Sequence, residues 1–164
     1  MVYGFSSVIV AQKIVAQYGY RINATMTHRH RQDSLYYSPF LECFYYAQYH
    51  EMPWMEWLNT IRSSKLALTL KTYPAAGSFQ LACACLGIPC VGIRDEYAQK
   101  VLFPQLCIDS PFDLENAYSK LSDTIQQDRF NEYIKYADSK LPEFNFVNMR
   151  RRLEIYIQKW EVVK

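Results

Sequence analysis

The chain has 164 residues, half of them apolar and 21% charged, with a formal net charge of +2. That length suits one globular domain with its own core, and the apolar fraction excludes a disordered tail. Basic runs occur only at His28–Arg31 and Arg150–Arg152, so the charge balance gives no footprint for general nucleic-acid binding, and no apolar run has the length of a membrane span.

Residues 7–18 (SVIVAQKIVAQY) follow a serine cap, carry apolar positions at Val8, Ala11, Ile14, Val15 and Tyr18, and stop at Gly19, which predicts a helix. Tyr20 to Met26 alternates and reads as a strand, which begins an α/β rhythm. If a strand precedes the first helix, only Val2-Tyr3 remains of it, and the chain is then expected to be cut from something longer.

Thr27 to Pro39 is polar and turn-rich and follows the C-terminal end of the predicted strand. Ligand-contacting loops of open parallel sheets sit at that end, so His28, Arg29, His30 and Arg31 either face an anionic ligand or form a solvated loop. Leu41 to His50 (LECFYYAQYH) reads as a short aromatic helix. Pro53 opens another, PWMEWLNTIRSS, with Trp54, Trp57, Leu58 and Ile61 on one face and both tryptophans expected in the core.

Lys65 to Asp95 then reads as a strand at 65–70, a small-residue turn, a helix from Ser78 to Leu86, a Gly-x-Pro break and a strand from Pro89 to Ile93, the pattern of a βαβ unit. Leu106 to Asp109 predicts a short last strand. Beyond it, Asp113 is expected to cap DLENAYSKLSDTIQ, Asp128 to cap DRFNEYIKYADSKL, and Phe146 to Trp160 to form a closing amphipathic helix. The expected architecture is α/β: one Rossmann-like, three-layer αβα domain over residues 1–164, with a small parallel sheet of about four strands and a helical C-terminal tail.

The five cysteines, an odd count inside apolar segments, read as reduced core residues, and the start of the chain lacks the basic region of a signal peptide, so a cytoplasmic location is expected. Cys83 and Cys85 would point to different sides of their helix with no histidine beside them, which argues against zinc.

The chemistry lies in the turn Thr72-Tyr73-Pro74-Ala75-Ala76-Gly77-Ser78. A strand that delivers small residues to a helix N-terminus presents unpaired N–H groups and the positive end of the helix dipole, a natural seat for phosphate. Gly77 allows close backbone approach, and Ser78 either caps the helix or donates to a phosphate oxygen. The alternative is a plain turn with an ordinary serine cap. The dinucleotide fingerprint, the Walker A pattern and a nucleophile elbow are all absent.

The run from Ala76 through Gly77, Ser78, Phe79 and Gln80 to Leu86-Gly87-Ile88-Pro89 resembles the donor-binding segment of GT-B glycosyltransferases, with Trp57-Leu58 through Leu66-Ala67-Leu68 as its lead-in and Leu102-Phe103-Pro104 and Asp109 as its ending. It is also similar to the UDP-N-acetylglucosamine 2-epimerases, through Gln80, Leu86-Gly87, Pro89 and Arg94-Asp95. Acidic residues of both families are missing: Pro74 and Ala82 stand where many retaining GT-B enzymes carry glutamates, and Leu81-Ala82 where the epimerases do.

The resemblance implies the C-terminal, donor-binding half of a two-domain, nucleotide-sugar-dependent glycosyltransferase, transferring a hexose-type sugar from a donor such as a UDP-sugar. In it Gly77, Ser78 and the backbone of Phe79 and Gln80 would hold the diphosphate and Tyr73 would flank the sugar or base. Arg94, or the loop carrying His28 and Arg31, would add positive charge. The implied partners are the nucleotide-sugar and a missing N-terminal acceptor domain or second copy, with no metal, no other cofactor and no catalytic residue assigned. The alternatives are an epimerase-like sugar-nucleotide enzyme and a non-catalytic interaction domain on a degenerate GT-B half. Arg94 and Asp95 could instead simply pair at a strand end, and Arg150–Arg152 decorate the last helix.

Overall fold

The computed structural model describes residues 2–3, 5–25, 44–48, 53–71, 77–145, 147–148 and 150–151. Strand β1 is Val2–Tyr3, α1 is Phe5–Tyr18, β2 is Ile22–Thr25, β3 is Phe44–Gln48 and α2 is Trp54–Arg62. They are followed by β4 (Ala67–Thr69), α3 (Ser78–Cys85), β5 (Cys90–Ile93), α4 (Tyr97–Leu102), β6 (Cys107–Ile108), α5 (Leu114–Gln126) and α6 (Phe130–Lys140).

The six strands form one sheet in the order β3-β2-β1-β4-β5-β6. Every neighbouring pair is parallel. The chain is therefore a mixed α/β protein built on a parallel sheet, consistent with a Rossmann-like arrangement. Two departures enlarge the expected sheet. Val2–Tyr3 is a strand, and at the middle of the order. Phe44–Gln48, expected to be helical, is the edge strand β3. A short aromatic run cannot be assigned by periodicity, and aromatic residues as a class favour strands.

Strands β4 and β5 are buried along their whole length. Their sequences, ALT and CVGI, have no solvent-facing alternation because helices cover both faces of a parallel sheet. The helices fall into two contacting groups, α1 with α5 and, on the other side, α2 with α3 and α3 with α4 and α6. Right-handed crossovers place those groups on opposite faces. Val10, Leu68, Leu70, Cys83, Val91, Leu102, Phe103, Leu106 and Ile108 fill the core. Each fully buried Leu, Ile or Phe contributes about 1.5–3 kcal/mol.

A polar seam joins α1 to α5: Tyr18 Oη meets Ser122 Oγ, Gln126 Nε2 donates to Tyr18 Oη at 2.8 Å, and Lys13 pairs with Glu115. Asp113 caps α5 as expected, accepting the Asn116 N–H at 3.2 Å. Asp128 does not cap α6. It sits at φ 48° in the turn after α5, and Arg129 takes the N-cap position, its N–H bonded back to Thr124 O at 3.1 Å. The expected closing helix falls mostly outside the described residues, though 147–148 and 150–151 are helical. Among the described residues no helix is long and apolar enough to cross a membrane.

Candidate functional site

In the observed order the chain leaves β1 toward β2 and β3, then returns to lay β4 on the other side of β1. The C-terminal ends of β1 and β4 thus flank the point where the direction of winding reverses, and a crevice opens there in parallel α/β sheets. Two helices start at this edge, α1 as the next element after β1 and α3 as the next after β4. Ser7, in the first turn of α1, is fully buried, and its Oγ accepts the Leu70 N–H at 2.8 Å. That bond fixes the start of α1 against the end of β4.

Gly77 is the N-cap of α3 at φ 79° and ψ 16°. Two constraints require glycine there: the left-handed backbone, and the closeness of α4, since a Cβ would stand 2.5 Å from Ala98 Cβ. Ser78 is therefore the first residue inside the helix and not its cap, with an exposed side chain. The Phe79 ring belongs to the core, 6.1 Å from the Trp57 ring, so only its backbone is available at the helix end.

Gln80 is 0% exposed and its Nε2 donates to Glu96 Oε2. Glu96 occupies the N-cap of α4 but makes no capping bond, turning its carboxylate toward α3 instead. It is 4% exposed, and Lys71 Nζ, just beyond β4, lies 3.9 Å from its Oε1. Burial pushes the Glu96 carboxyl above its ordinary range, with Lys71 pulling the other way. Deeper in, Gln99 Nε2 donates to Cys90 O at 2.8 Å, and Gly92 leaves the space that Gln99 Oε1 fills. The buried oxygens Thr69 Oγ1, Gln80 Oε1, Glu96 Oε1 and Gln99 Oε1 have no hydrogen-bond partner.

Of the sequence-derived site residues, Gly77, Ser78, Phe79 and Gln80 come together at the α3 N-terminus. Arg94 stands just past the end of β5, exposed, with Nε bonded to Asp109 rather than paired with Asp95. That bond and the Asp109 charge hold its guanidinium more firmly protonated. Tyr73, His28 and Arg31 lie outside the described residues. Trp54, expected in the core, is 60% exposed and stacks on Trp57 at 4.7 Å between centroids. The apolar face of α2 buries through Ile61 at its far end, leaving the first turn open.

Ser7, Lys71 and Glu96 were not among the residues expected here. The sequence holds one signal for the first: Val2-Tyr3, a glycine, then Phe5-Ser6-Ser7 is a compressed strand–glycine–helix turn. Among the described residues no group of three His, Cys, Asp or Glu side chains is placed to hold a metal ion. Comparison with protein-family models, curated proteins and solved structures finds no match to the chain. Function has to be read from the residues and their placement.

Proposed function

We propose that the chain is the nucleotide-sugar-binding half of a glycosyltransferase with the GT-B arrangement, the donor diphosphate lying on the N-terminus of α3. The observation that carries this reading is the position of that N-terminus: α3 starts at its N-cap Gly77, in the segment that follows β4, the strand next to β1 at the centre of the sheet. Helix N–H groups there are directed at an incoming anion, and the helix dipole favours negative charge. The α1 N-terminus, held by Ser7 against Leu70, adds a second positive end at the same edge of the sheet.

In this reading the chain binds and orients the donor, and the helix ends stabilise the diphosphate as it leaves. The acceptor, and the base that activates it, come from a second domain or a second copy. The epimerase-like alternative leans on Gln80 and Arg94-Asp95; Gln80 is committed to Glu96 and Arg94 to Asp109. Calorimetric titration with UDP and GDP tests the proposal. Saturable binding that weakens in Ser78→Ala is expected, whereas absence of heat at millimolar nucleotide overturns it.

A further inference from the structure

We draw no further inference here: the strongest candidate, the exposed aromatic patch on the first turn of α2, where Trp54 stacks on Trp57 beside Met55, carries nothing, because nothing in the structure shows what covers it.

Discussion

Ser7 Oγ accepts the backbone N–H of Leu70 at 2.8 Å, with both residues buried. This bond runs from the first turn of α1 to the residue just after β4, and so ties the start of α1 to the end of β4. Ser7→Ala would leave the Leu70 N–H without that acceptor in the core, a loss of about 1–3 kcal/mol. Urea denaturation measures it; a change within experimental error would mean that the bond does not hold α1 to the end of β4.

Gly77→Ala combines a left-handed backbone with a clash against Ala98, and should destabilise by about 2–4 kcal/mol. Ala98→Gly alone should cost no more than about 1 kcal/mol of helix propensity. The double variant should be more stable than the two separate losses predict, because the clash is gone and only the backbone cost remains. Strict additivity in the denaturation midpoints would contradict the contact.

The Glu96 carboxyl titrates above the ordinary glutamate range because burial disfavours its charge more than Lys71 favours it. The folded protein thus keeps a proton that the unfolded chain has released, and stability falls as pH rises from the ordinary glutamate value through the folded one. Glu96→Gln lacks this slope. Denaturation curves at a series of pH values should diverge in favour of the variant as pH rises; parallel curves would contradict the assignment.

Cys90 is buried, and burial, the adjoining Cys83 and the charge of Glu96 push its thiol well above the usual range. Cys83 and Cys107 are buried as well, whereas Cys85 is exposed. Brief alkylation of the native protein followed by peptide mapping should label Cys85 and spare Cys83, Cys90 and Cys107. Rapid labelling of Cys90 at mildly alkaline pH would mean that the α3–β5 interface opens.

The β4–α3–β5 unit was legible because each of its signals is local. Two apolar runs too short for helices flank small residues and a Gly-x-Pro break, and burial on both faces of a parallel sheet demands that pattern. Where contacts are distant, the sequence is silent. Tyr97–Leu102 is a six-residue helix with Gln99 buried in its middle, and nothing in its polarity announces that. Asp128 looks like a cap because aspartate often is one, but the return from α5 to α6 needs a left-handed residue at that point. Glu96 meets Gln80 across sixteen positions, a pairing that only the packing of α3 on α4 creates.

The central claim is that an anion binds at the N-terminus of α3, where Ser78 is exposed, and Ser78→Glu addresses it most directly. An acidic side chain at that position is favourable to the helix dipole, so the variant should fold with stability equal to or above that of the parent. Placed where the phosphate would lie, the same charge should abolish UDP binding in a calorimetric titration that gives saturable binding to the parent. A stable Ser78→Glu protein that binds UDP as tightly as the parent would contradict the claim.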